Sequence, residues 1–211
     1  MTASEHTAGS TAADPAAADP LTILVLYGSV RSARRGIGLA RLLVRGIEAR
    51  GHAALLADAA EIPLPLLDRM YKEYGPGEAP EPMERLAGMI RGSDAVVVVS
   101  GEYNHGIPPA LKNMLDHYLE EWFFKPAGIA CYSAGRYGGV RAAMQLRMTL
   151  AELGMPTISS LLPVPQVQDA VSPEGEDRTP FLGKALAKFL ADLEFWAIAA
   201  RARKREAGTP Y

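Results

Sequence analysis

Five short apolar runs alternate along this chain with segments of helical periodicity. The runs have the length and the β-branched content of buried strands, and they cover residues 21–27, 53–57, 94–100, 127–132 and part of 155–162. Helices are predicted over residues 38–50, 84–91, 108–121, 139–153 and the later part of 173–204. Because strands that alternate with helices return to the same edge of a sheet, this order predicts a doubly wound α/β domain with a parallel sheet.

Five strands with five helices suit the flavodoxin-like topology, a three-layer sandwich. Its parallel strands lie in the order 2-1-3-4-5, with helices on both faces of the sheet. The loops after strands one, three and four then meet at the carboxyl edge of the sheet, where open α/β sheets bind ligands. We therefore expect the functional residues in three loops, near residues 28–36, 101–106 and 133–139.

Composition limits the class of protein. The chain has 211 residues, of which 48% are hydrophobic, which suits one domain over residues 21–205 between a disordered tail, 1–20, and a short tail, 206–211. The formal net charge of -2 predicts no nucleic-acid partner and no membrane partner, and the apolar runs are far shorter than the roughly 20 residues of a membrane span. The single cysteine, Cys131, allows no disulfide within the chain, so we predict a cytoplasmic protein.

The first loop combines hydroxyl and guanidinium groups at the start of a helix. Ser29 offers a hydroxyl donor, Arg31 and Arg34 offer forks suited to phosphate oxygens, and Gly36 precedes the helix. The loop therefore predicts a phosphate site, although a solvated basic turn has the same composition. It lacks Gly-x-Gly-x-x-Gly and the Lys-Ser/Thr of a P-loop, which disfavours a Rossmann dinucleotide site and a nucleotide triphosphatase.

The second loop is bracketed by Gly101 and Gly106, which let backbone approach a flat ring closely. Its amides could hydrogen-bond the carbonyls and nitrogens of a heterocycle. Tyr103 offers an aromatic face or a phenolic donor, and Asn104 offers an amide or simply shapes a turn. His105 is equally compatible with an exposed loop position and with a ligand role.

The third loop, 133–139, contains three glycines and a serine after a strand. Ser133, Gly135 and Gly138 could wrap the far edge of the same ring, although an ordinary glycine-rich connection has this composition too. We predict that Arg136 and Tyr137 reach over the open side of the ring and contact substrate.

Two further segments have predicted local roles. Lys112 and Asn113 lie about one helical turn before Asp116, so both are expected to pair with it. The segment 61–82 holds five prolines and is predicted to be a long surface loop, either a lid or a contact with another subunit.

The three loops resemble the motifs of the NADPH-dependent FMN reductase family of flavodoxin-like proteins. The first is similar to Gly-Ser-x-Arg-x-x-Arg-x-Gly, and the second to Pro-Glu-Tyr-Asn-x-Ser-x-Pro-Gly-x-Leu-Lys-Asn-x-x-Asp, with Gly101, Gly106 and Pro109 in place of the usual Pro, Ser and Gly. The third, Gly-x-x-Gly-Gly-x-Arg-Ala over 135–142, is a looser match. The resemblance covers residues 22 to about 165.

This resemblance implies one non-covalent FMN per subunit. Ser29, Arg31 and Arg34 would hold its phosphate, and Glu102 to Gly106 would line the isoalloxazine mostly through backbone. It also implies NADPH as the hydride donor and a homodimer or homotetramer, with the helix of Lys112 and Asp116 near the partner. The apolar and aromatic residues that follow suit such an interface and a core position comparably well: Tyr118, Leu119, Trp122 and Phe123.

The predicted function is therefore an FMN-dependent NAD(P)H oxidoreductase, in which the flavin carries the chemistry and no side chain is catalytic. By a ping-pong mechanism it would pass hydride from NADPH to a quinone, azo compound, metal oxyanion, oxygen or free flavin. The alternatives are an electron carrier or redox sensor without NAD(P)H turnover, which the near-neutral charge disfavours, and a flavin-free domain that binds a phosphorylated metabolite.

Overall fold

A five-stranded parallel sheet forms the middle layer of the molecule. The computed structural model describes residues 19–211, so residues 1–18 of the predicted disordered tail lie outside the described residues. The strands lie in the order β2-β1-β3-β4-β5 and all neighbours pair in parallel, which confirms the predicted topology. Their bounds are β1 Thr22–Tyr27, β2 Ala53–Asp58, β3 Ala95–Ser100, β4 Ala127–Tyr132 and β5 Thr157–Val164.

Within residues 19–211, six α-helices accompany the sheet. Their bounds are α1 Ile37–Glu48, α2 Glu81–Arg91, α3 Pro109–Asp116, α4 Val140–Glu152, the single turn α5 Val167–Ala170, and α6 Leu182–Ala207. The turn α5 was not predicted. Helix α2 begins three residues earlier than predicted, because Pro82 sits in its first turn, where a missing N–H costs little.

Each face of the sheet has its own core. Along β1, Ile23 and Val25 point to the core shared with α1 and α6, while Leu24 and Leu26 point to the core shared with α2, α3 and α4. Successive side chains of a strand alternate between the faces, and here helices cover both. This explains why the strands read as continuous apolar runs. The last strand runs through Pro163, which an edge strand tolerates.

The helix predicted over 108–121 ends at Asp116, so its last turn was predicted wrongly. The chain then makes a 3₁₀ turn, Glu120–Trp122, which brings two aromatic rings into the core. Tyr118 and Trp122 are fully buried, with ring centroids 6.1 Å apart. Their polar atoms are satisfied, since the Tyr118 hydroxyl donates to the Met83 carbonyl and the Trp122 indole to a backbone carbonyl. Tyr118 and Trp122 are therefore core residues, and the interpretation that they form a subunit interface is not needed.

The proline-rich segment is fastened to α3 by one side chain. The Asn113 amide donates to the Pro65 carbonyl at 2.6 Å and accepts from the Leu67 amide at 3.0 Å. The prediction that Asn113 pairs with Asp116 is therefore wrong, because these backbone groups engage the amide. The other predicted pair is confirmed: the Lys112 ammonium donates to Asp116 at 2.6 Å.

Cys131 lies inside β4 with its thiol buried. Burial raises the pKa of this thiol to about 12, so it stays protonated and unreactive near neutral pH. Over residues 19–211, the search for a helix with the length and hydropathy of a membrane span finds none.

Candidate active site

The loops after β1, β3 and β4 border one cleft at the carboxyl edge of the sheet, as the topology predicted. The cleft has a volume of ≈ 390 Å³, within the range of roughly 300–1,000 Å³ that is usual for ligand pockets. It is lined by Ser29, Arg31, Ala33, Arg35, Gly101, Glu102, Tyr103, Tyr132, Ser133, Ala134 and Val167. The parallel register creates this cleft, because it places the ends of β1, β3 and β4 side by side.

The first loop supplies a hydroxyl and two cations to the cleft. Ser29 is only 4% exposed, and its hydroxyl lies 3.5 Å from that of Tyr103. Arg31 and Arg35 both line the cleft. Arg35 was missed by the sequence reasoning, which followed the motif; its proximity to the start of α1 was the available signal.

Arg34 does not line the cleft. Its guanidinium forms an ion pair with Asp58, the last residue of β2, and lies 5.9 Å from the ring centroid of Tyr27. Asp58 is 2% exposed, so this carboxylate depends on the pair. Arg34 therefore anchors the loop to the sheet, and it would have to exchange Asp58 for any phosphate that it bound.

Gly36 and Gly101 flank the ring of Tyr132, the last residue of β4. A methyl group on Gly36 would lie 2.1 Å from Cζ of that ring, and one on Gly101 would lie 3.2 Å from the same atom. Both glycines therefore make room for a side chain of the cleft wall. Gly36 itself is buried and does not line the cleft.

The second loop presents backbone to its surroundings. Tyr103 and Gly106 exchange two backbone hydrogen bonds, at 3.1 and 2.8 Å, and close a tight turn. The central residues Asn104 and His105 have φ values of 49° and 67°, the left-handed conformation of a type I′ turn. Their side chains are exposed, whereas the His105 carbonyl accepts from Gln145 on α4 at 3.2 Å.

Glu102 fixes this loop to the start of α4. Its carboxylate accepts from the Arg141 guanidinium at 2.9 Å and from the amides of Arg141 and Ala142 at 3.0 and 3.3 Å. Burial by itself raises the pKa of Glu102, but the Arg141 side chain and the two amides outweigh it and hold the pKa below its ordinary value. Glu102 is therefore an ionised anchor, and a cofactor would meet the backbone of this residue.

The third loop is shaped by Ser133. Its hydroxyl donates to the Gly135 carbonyl at 2.8 Å and accepts from the Gly138 amide at 2.9 Å. Gly138 has a φ of 62°, and the next residue, Gly139, has a φ of 79° with no space for a methyl group beside the Tyr132 carbonyl. The two successive glycines permit this turn, and the importance of Gly139 was visible only as part of the motif.

The two predicted substrate residues lie outside the lining of the cleft. Arg136 and Tyr137 are both exposed, at the outer side of the third loop. The Arg141 guanidinium lies 4.3 Å from the ring centroid of Tyr137 while it also binds Glu102. The second and third loops are thus connected through one arginine.

The profile of the NADPH-dependent FMN reductase family matches residues 21–169, which carry all three loops. The chain belongs to this family. The reductase is 30% identical to an NAD(P)H-dependent FMN reductase of Pseudomonas aeruginosa, over 84% of this chain and 96% of that protein. It is 33% identical to a quinone reductase of Escherichia coli, over 64% of this chain and 72% of that protein.

A solved structure supports the same assignment. The flavoenzyme FerB of Paracoccus denitrificans, an NAD(P)H:(acceptor) oxidoreductase, superposes with a TM-score of 0.70 at 26% identity. The match covers 85% of this chain and 98% of that one. The reductase is therefore an oxidoreductase that uses FMN and NAD(P)H, on a flavodoxin-like fold.

The side chains of the cleft fit FMN. The end near α1 is lined by a serine and two arginines, Ser29, Arg31 and Arg35, whose side chains suit a phosphate dianion. The hydroxyl of Tyr27, fully buried behind this end, has no hydrogen-bond partner among residues 19–211. A buried phenol normally binds protein, water or ligand, so an additional oxygen at this end would satisfy it.

Proposed function

We propose that the reductase oxidises NADPH and reduces a small acceptor in alternate steps at one site, a ping-pong mechanism. The observation that carries this proposal is the convergence of the three loops on a single cleft. Because donor and acceptor would need the same open side of this cleft, each has to leave before the other enters. The acceptor classes that suit such a site are quinones, azo compounds, metal oxyanions, oxygen and free flavin.

The loop after β1 would hold the phosphate of FMN. Ser29 and Arg31 from the lining, with the amides at the start of α1 beside Gly36, would be its donors, and Arg35 would add a second cation. Arg34 contributes directly only if it releases Asp58. Bidentate guanidinium contacts to phosphate oxygens are the strong interactions at this end.

The loops after β3 and β4 would hold the ring. Glu102, Tyr103, Asn104, His105 and Gly106 would border one side of the ring. The tight turn leaves the amides at positions 104 and 105 free of the two bonds that close it, so they are available to the heterocycle. Ser133, Gly135 and Gly138 would border the other edge, in a loop that the Ser133 hydroxyl keeps closed.

When bound, FMN supplies the group that takes a hydride from NADPH and gives it to the acceptor. The protein orients the ring through backbone amides, which donate where negative charge develops. Arg136 and Tyr137 are exposed in the loop after β4, and from there they would contact the nicotinamide nucleotide or the acceptor. No acidic or basic side chain needs to contact the ring in the half-reaction that oxidises NADPH.

Initial-rate kinetics with the FMN-loaded protein test the proposal. NADPH and a quinone acceptor are varied together, and parallel double-reciprocal lines are expected because no complex contains both substrates. Intersecting lines would replace ping-pong by a mechanism in which both bind at once. If no acceptor class supports NADPH oxidation, the alternative of an electron carrier or redox sensor takes its place.

We also propose a cytoplasmic homodimer or homotetramer. Leu66 is 85% exposed and Val30 is 55% exposed, and they border an apolar groove of ≈ 320 Å³ beside α3, formed partly by Pro109 and Met114. A second copy of the chain that covered this groove would contact Val30, which lies between Ser29 and Arg31 of the cleft lining. Light scattering should give the mass of an oligomer, and Leu66→Asp should lower it; an unchanged mass would remove this surface from the interface.

A further inference from the structure

Tyr132, the last residue of β4, is packed tightly into the wall of the cleft. The hydroxyl end of its ring lies between two glycines: a methyl group on Gly36 would be 2.5 Å from the phenol oxygen, and one on Gly101 would be 3.2 Å from it. Gly36 precedes α1, and Gly101 follows β3. The phenol of Tyr132 thus lies between the loop after β1 and the loop after β3, and any side chain at position 36 would displace it.

Hydroxyl groups cluster around this point. Tyr132 lines the cleft together with Ser29 and Tyr103, whose oxygens are 3.5 Å apart. The Tyr27 hydroxyl adjoins those of Ser29 and Tyr132, yet it makes no hydrogen bond within residues 19–211. Of this cluster, the Tyr27 hydroxyl is the buried group without a partner among residues 19–211, and an oxygen bound at this end of the cleft would supply one.

We propose that Tyr132 is a specificity-determining residue of the reductase: its hydroxyl, supported by that of Tyr27, donates to the phosphate of FMN and favours FMN over riboflavin. This rests on the proposed placement of the phosphate at the loop after β1. The ring cannot retreat, because Gly36 and Gly101 hold it from two sides. The contact of the Tyr132 ring with Gly36, which precedes α1, assigns this residue to the phosphate end of the cleft and away from the turn at 103–106.

The protonation state of the phenol agrees with this role. Tyr132 is 8% exposed, and burial together with the neighbouring Tyr27 raises its pKa above the ordinary value. The hydroxyl therefore remains a neutral donor over the whole working range of pH. A neutral donor adds no charge repulsion beside a phosphate dianion.

Flavin binding to the FMN-free full-length protein tests the proposal, with flavin fluorescence as the readout. Tyr132→Phe should weaken FMN binding about tenfold, as expected for one hydrogen bond to a charged group, and leave riboflavin binding unchanged. Tyr27→Phe should also weaken FMN binding without changing riboflavin binding, but the loss should be smaller, because the Tyr27 hydroxyl is buried behind this end of the cleft. Inorganic phosphate should raise the melting temperature of the FMN-free wild type more than that of Tyr132→Phe.

Tyr118→Phe is the matched control, since it removes a buried phenol hydroxyl that donates to Met83 at 2.9 Å in the opposite core. It should lower the melting temperature and leave both flavin affinities unchanged. Equal losses of FMN and riboflavin affinity in Tyr132→Phe would make Tyr132 a structural residue and overturn the proposal. Unchanged FMN affinity would overturn it as well. Both results are independent of NADPH turnover by the wild type. That turnover tests the proposed function separately.

Discussion

The loops after β1 and β3 border the same cleft, but they differ in what they bring to it. The first contributes a buried hydroxyl and two arginines to the lining, namely Ser29, Arg31 and Arg35. The second contributes Gly101, Glu102 and Tyr103, and beyond this lining Asn104 and His105 form a turn in the left-handed region with exposed side chains. A substitution in the first loop should therefore act through lost functional groups, and one in the second through altered backbone.

Glu102 shows the same contrast within one motif. It follows directly after Gly101 in the cleft lining, yet its carboxylate faces α4 and binds Arg141. Matching a flavin-binding motif thus does not make a side chain a flavin contact.

Glu102→Ala should lower the free energy of unfolding by about 3 kcal/mol, because it removes a carboxylate that accepts three hydrogen bonds. For a domain of this size the melting temperature should fall by roughly 6–12 °C, measured by calorimetry on the FMN-free protein. A loss of FMN affinity at unchanged stability would instead make Glu102 a direct ligand and erase the contrast between the loops.

The pH dependence of that effect is tested with Glu102→Gln. The pKa of Glu102 is lowered in the folded protein, so its stabilisation is complete above the ordinary glutamate pKa and is lost as the pH falls through the lowered value. The stability difference between wild type and Glu102→Gln should be constant around neutral pH and shrink in the acid range, below about pH 4.5. A difference that persists unchanged at pH 3 would contradict an ionised anchor.

Arg31→Ala should weaken FMN binding roughly 30-fold, about 2 kcal/mol, and leave riboflavin binding nearly unchanged, because a charged contact to phosphate is lost. Titration of the FMN-free protein with each flavin measures this. Arg34→Ala is the comparison: its guanidinium pairs with Asp58, so stability should fall more than FMN affinity. If Arg34→Ala has the larger effect on FMN binding, Arg34 exchanges Asp58 for the phosphate.

His105→Gly and His105→Val separate backbone from side chain in the second loop. Glycine accepts the φ of 67° without strain, whereas a β-branched residue opposes it by about 1 kcal/mol or more. We expect the glycine variant to keep its FMN affinity and the valine variant to lose roughly fivefold. Equal losses in both variants would show that the imidazole itself is a ligand.

Arg136→Ala should raise the KM for NADPH about threefold with FMN retained, since an exposed charge in solvent contributes well under 1 kcal/mol. Steady-state kinetics at saturating acceptor measure this, with flavin absorbance as the control for cofactor content. An unchanged KM would remove Arg136 from the substrate site and leave the outer side of the third loop without a role in binding.

Much of the fold was predictable because the strands are buried on both faces. Runs such as 94–100 have no polar alternation, so they were recognised as central strands, and glycine marked the end of α1. Helix bounds were less certain: α3 ends at Asp116, because the aromatic residues after it pack better in a separate turn. Asn113 has backbone partners more than 40 residues away, and no local pattern indicates such partners.

The sequence by itself determined the alternation of strands and helices and the parallel sheet, because these follow from local periodicity and from the geometry of crossovers, and the flavodoxin-like order that suits them brings three loops to one edge. The tertiary structure decided which side chains enter the cleft. Arg31 and Arg34 are alike in the motif, but β2 lies beside β1 and places Asp58 opposite Tyr27, within reach of Arg34 alone. In the same way, Tyr132 entered the wall only because Gly36 and Gly101, remote from it in sequence, leave it room. Competition between partners that are distant in the chain is a property of the folded molecule.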